Sequence, residues 1–292
     1  MNDEAMSMLN KLLGMRIPSV KERAKLRGEI TEKVNATFNS DERYAKVLET
    51  SKKMLAEDDD IEKADLICLD PEVINARLVR LQDGVREWAF RNFGGLDGNE
   101  SKLTRYPLGN LSSLLGIVEE TGEYAEAYYK PEEIDPCRVN GKPTEDNDSV
   151  DAVADAIIFM LDFCNRTPFS LYVTVDDIRE SLRIQVLNSE FREAGLAGIE
   201  PKDCPAAMAI YVGRLAHVVL KANQGIRGFD DPEKYRKEVF KCVKDLFMFL
   251  MRMTGYRLLT YVEKVWEKVQ KRDWEKNKLN AHEEATTGNQ PA

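Results

Sequence analysis

Cysteine and histidine are scarce in this 292-residue chain, and their scarcity excludes whole classes of chemistry. The five cysteines (Cys68, Cys137, Cys164, Cys204 and Cys242) are odd in number, scattered, and without a CxxC pair. With only His217 and His282 beside them, a zinc site lacks ligands, and the thiols read as reduced. Long apolar runs are also missing. "DLFMFLM" is among the longest, well short of the ~20 residues a membrane span needs. The segment "MNDEAMSMLNKLL" is acidic and lacks the apolar core of a cleaved leader. Strand-forming runs are nearly absent, "SLYVTV" at 170–175 being the one β-like stretch. These absences lead us to expect an all-α, cytoplasmic protein that does not enter a membrane.

Positive charge is in deficit as well. The chain carries a net charge of −9 and a pI near 5.1, which argues against nucleic acid as a partner. A protein this acidic needs metal ions to handle phosphates. Hydrophobic residues make up 43% and charged residues 32%, a balance that suits a helix-rich globule.

Apolar residues recur at helical spacing almost throughout. Residues 1–75 read as a helical extension with "SVKERAKLRGEITEKV" and "SDERYAKVLETSKKMLAE", for which Ser19 and Ser40 are N-cap candidates. No chemistry is apparent there, so docking or oligomerisation is the expected role. Residues 76–168 then hold a helix ending near Phe93, a Gly-rich loop, a helix from about Leu108 to Tyr129, a polar loop, and the helix "SVDAVADAIIFMLDFCNRT". The plan recurs over 169–278. Aligning Gly122 with Gly213 places Lys130 on Lys221, and aligning "VADAIIFML" with "VKDLFMFLM" places Asp155 on Asp245. The two agreeing registers indicate an internal repeat of two copies. Residues 279–292 are small and polar and read as a disordered tail.

The stretch "GIVEETGEYAEAYYK" at 116–130 carries Glu119, Glu120, Glu123 and Glu126. At 100° per residue, Glu119, Glu123 and Glu126 share a ~60° arc, with Glu120 on its flank. On the following helix Asp148, Asp151 and Asp155 form a second narrow stripe, opposite Val150, Val153, Ile157 and Leu161. Antiparallel packing of the two apolar faces would bring the acid stripes together, where they stay ionised only if cations neutralise them. Oxygen ligands without histidine or cysteine favour Mg²⁺, with Mn²⁺ as the alternative. A merely solvated acidic face would carry lysines four residues on from the acids. Four residues on from Glu119, Glu120 and Glu123 this helix instead has Glu123, Tyr124 and Ala127. Thr121 and Tyr128 beside them are also uncharged, and the first basic residue is Lys130, four on from Glu126.

"EETGE" at 119–123 followed by "DAVAD" at 151–155 resembles the EExxE…ExxD signature of the all-α nucleoside triphosphate pyrophosphohydrolases, the superfamily of MazG proteins and dimeric dUTPases. "REWAFRNF" at 86–93 looks like that family's preceding Trp-containing helix, and "KVQKRDW" at 268–274 like its closing helix. The likeness covers roughly residues 80–276. One departure is plain: the glutamate of ExxD falls on Ala152, so Asp151 or Asp148 must stand in. The resemblance implies a MazG-like helical bundle and Mg²⁺-dependent hydrolysis of an NTP or dNTP to the monophosphate and pyrophosphate. It implies Glu119, Glu120, Glu123, Asp151 and Asp155 as metal ligands, with Glu120 and Glu123 in catalysis. Relatives associate because a four-helix unit leaves apolar faces uncovered. In this chain either a homo-oligomer or the internal repeat covers them.

In the second copy Glu119, Glu120, Glu123 and Glu126 map onto Ile210, Tyr211, Arg214 and His217, and Asp151 maps onto Lys241. A lone Asp245 among these residues cannot hold a metal cluster, so the copy reads as degenerate. It still offers cations: Lys264, Lys268, Lys271 and Arg272 form a stripe opposite Val262, Val265, Trp266 and Val269. We expect Lys268, Lys271 and Arg272, with Trp88 and Arg91 of the first copy, to contact the substrate. A solvated amphipathic helix and ordinary core aromatics are the structural alternatives for these two groups. For the whole chain the alternatives are a nucleotide-binding module without turnover and a purely helical adaptor.

Overall fold

The computed structural model describes residues 20–46, 48–49, 69–93, 109–129, 148–167, 169–193, 204–254 and 257–272. Among them the ordered elements are α-helices, and no strand is present. The helices are α1 (Val20–Phe38), α2 (Pro71–Phe93), α3 (Asn110–Tyr129), α4 (Asp148–Arg166), α5 (Val175–Glu193), α6 (Cys204–Asn223), α7 (Pro232–Met253) and α8 (Leu258–Val269). None of the described helices is long and apolar enough to cross a membrane. Cys164, Cys204 and Cys242 are free thiols; Cys68 and Cys137 lie outside the described residues. Ser19 and the tail at 279–292 also lie outside them.

The chain forms two compact units. One comprises residues 1–51 together with 179–200. Its ties are Arg179 to Asp41 at 2.7 Å, Arg183 to Asn35 at 3.0 Å, and the Arg179 guanidinium lying over the Tyr44 ring. The Oγ of Ser40 accepts from the Arg43 N–H, an N-cap bond at the foot of the next helical turn. No acid cluster or metal motif is found among these described residues.

The second unit, residues 52–178 and 201–292, carries every candidate site residue. Helix α4 is its axis. It is buried nearly all round, as a helix of "VDAVADAIIFML" composition must be to lose its apolar surface to neighbours. Helices α2, α3, α7 and α8 pack against it, α6 pairs with α7, and α3 also rests on α6. The α3–α4 pair runs antiparallel: Ser113 meets Asp162, Gly116 meets Phe159, and Glu120 meets Asp155. Close approach here depends on Gly116, where an added Cβ would lie 2.5 Å from the Phe159 ring. At the far end from the acids, Asp162 accepts from Ser113 at 2.6 Å and from Arg166 at 2.8 Å, a buried polar clasp.

The β-like run at 170–175 is extended but makes no strand. Leu171 and Val173 are buried and alternate with the exposed Tyr172 and Thr174. Two amides of α2 supply the bonds that a neighbouring strand would give. Asn75 bonds both the N–H and the carbonyl of Val173, at 2.8 and 2.9 Å. Gln82 accepts from the Leu171 N–H and donates to the Phe169 carbonyl. Backbone polarity is satisfied without a sheet.

Candidate active site

Helix α3 presents its acids unequally. Ser113, Ile117, Glu120, Tyr124 and Ala127 follow three- and four-residue steps, and all are buried against the core. Glu120, on the flank of the acid arc, thus also lies in the packing row. It is 7% exposed, while Glu119, Glu123 and Glu126 are exposed. The reason is geometric: Ile117 and Tyr124, three residues before and four after it, commit that side of the helix to the core.

One oxygen of Glu120, Oε2, is buried with no hydrogen-bond partner. Loss of hydration, then the charges of Asp155, Glu123, Glu119 and Asp151, push its pKa up to about 9. Asp155 is half-buried on α4, directly across from it. Burial and the charge of Asp151 raise Asp155 to about 7, against the lowering effect of Arg272 and with a further rise from Glu123. Asp151 is exposed as a residue, yet loss of hydration still raises it; Lys268 and Arg272 pull it down, and Asp148 pushes it up. These interactions join Glu119, Glu120, Glu123, Asp151 and Asp155, the five predicted ligands, in one electrostatic cluster. Among the described residues, however, no three acidic, histidine or cysteine side chains stand close enough together to hold a metal ion as they are placed.

Helix α8 delivers cations to this cluster. Lys268 and Arg272 act on Asp151, and Arg272 also acts on Asp155. Lys271 is exposed and is not among the charges that shift either aspartate. The predicted long final helix is described only as far as Val269, with a turn at 270–272; the rest of "KVQKRDW" lies outside the described residues.

Trp88 and Arg91 serve as clamps on the turn that follows α8. The indole N–H of Trp88 donates to the Arg272 carbonyl at 3.2 Å, and Arg91 donates to the Gln270 carbonyl at 2.8 Å. Trp88 also meets Phe93 and Trp266 edge-on. About three turns earlier on α2, Arg77 forks onto both oxygens of Glu263, at 3.0 and 2.8 Å, and reaches Thr260. The Arg77–Glu263 clasp escapes sequence reading, because nothing in the chain indicates that positions 186 apart will meet.

The residues of α6 and α7 that align with the acid face have a different chemistry. Tyr211, in the place of Glu120, stacks on Phe249 at 5.0 Å, and the Arg214 guanidinium lies over its ring. Asp245 is raised by burial and pulled down by Lys241, Arg214, Lys244 and Arg252. Among the described residues His217 lies in no metal-ligand cluster; its Nε2 is 3.2 Å from Nη1 of Arg227. Gly225 takes a left-handed φ of 62°, and Ile226 N–H bonds the Lys221 carbonyl, closing α6 as a Schellman cap.

Comparison of the chain with protein-family models, curated proteins and solved structures finds no match. The reading of the site therefore rests on its own residues.

Proposed function

We propose that the chain is a Mg²⁺-dependent nucleoside triphosphate pyrophosphohydrolase, with a MazG-like fold and one active site on α3, α4 and α8. The observation that carries this reading is Glu120: a nearly buried carboxyl with an unpartnered oxygen, facing Asp155 amid three further acids. A protein gains nothing in stability from such an arrangement, since every ionised member costs the others. It becomes sensible when a cation shares the site. The donor set is all oxygen, which fits Mg²⁺ or Mn²⁺ and not a soft metal.

Glu119, Glu123, Asp155 and Asp151 would hold the metal. When bound, it supplies positive charge for the phosphate oxygens and lowers the pKa of water in its shell. Glu120, whose pKa is raised by burial and by the neighbouring acids, would in its ionised form be the base that takes a proton from the attacking water. Lys268 and Arg272 hold phosphate oxygens of the substrate from the opposite wall. Trp88 and Arg91, with their donor groups committed to the turn after α8, keep those two cations aimed at the acids. The balanced reaction is NTP plus water to NMP plus pyrophosphate.

A second reading, a nucleotide-binding module without turnover, draws on Ala152 in the place of a ligand and on the spread of the acids. A panel of common NTPs and dNTPs with Mg²⁺ or chelator, scored chromatographically for NMP and pyrophosphate, separates the two. Mg²⁺-dependent pyrophosphate release is the expected result. Nucleotide binding without release on every member would establish the binding module instead.

A further inference from the structure

The face of α6 that corresponds to the acid face of α3 has exchanged its acids for Arg214 and His217, while α7 keeps Glu238 and Asp245 where α4 has Asp148 and Asp155 and changes Asp151 to Lys241. Arg214, His217 and Lys221 recur on α6 at helical spacing, on one side. Across from them, α7 runs antiparallel and presents Lys234 and Lys241, and the connecting turn presents Arg227. Among the described residues none of the five Arg and Lys side chains reaches a carboxylate within salt-bridge distance. The acids on this face are Asp245 and Glu238, both half-buried, with Arg214 and Lys241 acting on Asp245, and the connecting turn also carries Asp230 and Asp231.

The turn holds its cations toward one another. Arg227 has a left-handed φ of 62°, a conformation a residue with a β-carbon rarely takes. Lys234 donates to its carbonyl at 2.7 Å. The Arg227 guanidinium, which can only donate, meets the His217 Nε2 at 3.2 Å, so that nitrogen is the acceptor. Five positive groups thus lie along one face of α6, α7 and their connecting turn, in a chain whose net charge is −9.

We infer that this face is a second, metal-independent anion site that takes the di- or triphosphate chain of a small molecule. Length favours a small ligand. Arg214 to Lys221 spans seven residues, about 10 Å of helix, which fits a short phosphate chain. A nucleic acid would meet the acidic remainder of the molecule at either end. Where the first copy needs metal between its carboxylates and phosphate oxygens, the second would contact those oxygens directly through guanidinium and ammonium groups. This inference does not depend on turnover at the acid cluster.

Inorganic tripolyphosphate, titrated calorimetrically into the full chain in EDTA and low salt, is the test. Without divalent metal the acid cluster repels the probe, so binding there is excluded by charge. One equivalent is expected to bind. R214Q/K241Q, and separately R227A, are expected to weaken binding by about tenfold or more, while E123Q and K268A/R272A leave it unchanged. Circular dichroism checks each fold, and the single variants R214Q and K241Q replace the double if it fails to fold. Absence of binding by the wild type overturns the inference. So does loss of binding in K268A/R272A but not in the α6–α7 variants. A single-stranded oligonucleotide that binds this face more tightly than tripolyphosphate would assign it to nucleic acid and also overturn the inference.

Discussion

The indole of Trp88 and the backbone of Arg272 are joined by an N–H to carbonyl bond of 3.2 Å across 184 residues of sequence. It fixes the main chain of the residue whose guanidinium lowers Asp155 and Asp151. With Arg91 on the Gln270 carbonyl and Arg77 on Glu263, α2 holds α8 at its middle and just past its C-terminal end. The acid cluster and the cations above it are therefore parts of one rigid arrangement of α2, α4 and α8.

The cations on α8 are not equivalent. K268A/R272A is expected to raise KM or lower kcat by about tenfold or more, roughly 1.4 kcal/mol of transition-state binding. Lys271→Ala should leave kinetics within about twofold, since its charge is not among those shifting the aspartates. Steady-state kinetics of both variants decide it, and equal losses in the two would remove the distinction.

Glu123→Gln and Asp155→Asn are expected to abolish Mg²⁺-dependent turnover and to weaken Mg²⁺ binding by calorimetry. Thermal stability without metal should stay equal or rise, because each change removes a charge that opposes Glu120. Full activity in either variant would sink its assignment as a ligand.

Stability should depend on pH in a direction opposite to that of ordinary paired carboxylates. Glu120 and Asp155 have folded pKa values of about 9 and about 7, both raised above their ordinary range. Between the unfolded and folded values the native state binds more protons than the unfolded chain, so stability falls as pH rises. In chelator, Tm should therefore decline from about pH 5 to about pH 9. Above about pH 7 most of the decline belongs to Glu120. Glu120→Gln should flatten that upper portion, and Mg²⁺ should restore more stability at high pH than at low. An identical upper slope in wild type and E120Q would disprove the assignment.

Two glycines of α3 should respond in opposite ways to alanine. Gly116→Ala forces a Cβ to 2.5 Å from the Phe159 ring at the α3–α4 crossing. Overpacking of about 1–3 kcal/mol exceeds the helix-propensity gain of up to ~1 kcal/mol, so a net loss is expected. Gly122 has nothing within 4 Å of the same position, so Gly122→Ala should gain about 0.4–1 kcal/mol. Urea denaturation of the two variants measures the contrast, and stabilisation by Gly116→Ala would refute the close packing.

The sequence by itself determined the helices of this protein, because 3.6-residue periodicity is a local property. Pro71–Phe93, Asn110–Tyr129, Asp148–Arg166, Cys204–Asn223 and Pro232–Met253 lie within a few residues of where apolar spacing puts them. It also marked the five acids that act on one another, since two amphipathic helices with acids beside their apolar faces have few ways to pack. Which acid would be buried was also legible, in the step from Ile117 through Glu120 to Tyr124, once that row is traced as a packing face. Only the tertiary structure decided the rest, because it depends on contacts between residues far apart in the chain. It turned the alternating run at 170–175 into an extended segment held by the amides of Asn75 and Gln82 instead of a strand. It set Trp88 and Arg91 on the carbonyls of the turn after α8, and it aimed Lys268 and Arg272, but not Lys271, at the aspartates. Periodicity fixes which side of a helix is apolar. Which neighbour covers that side, and which charge ends up facing which, is settled only when the helices pack.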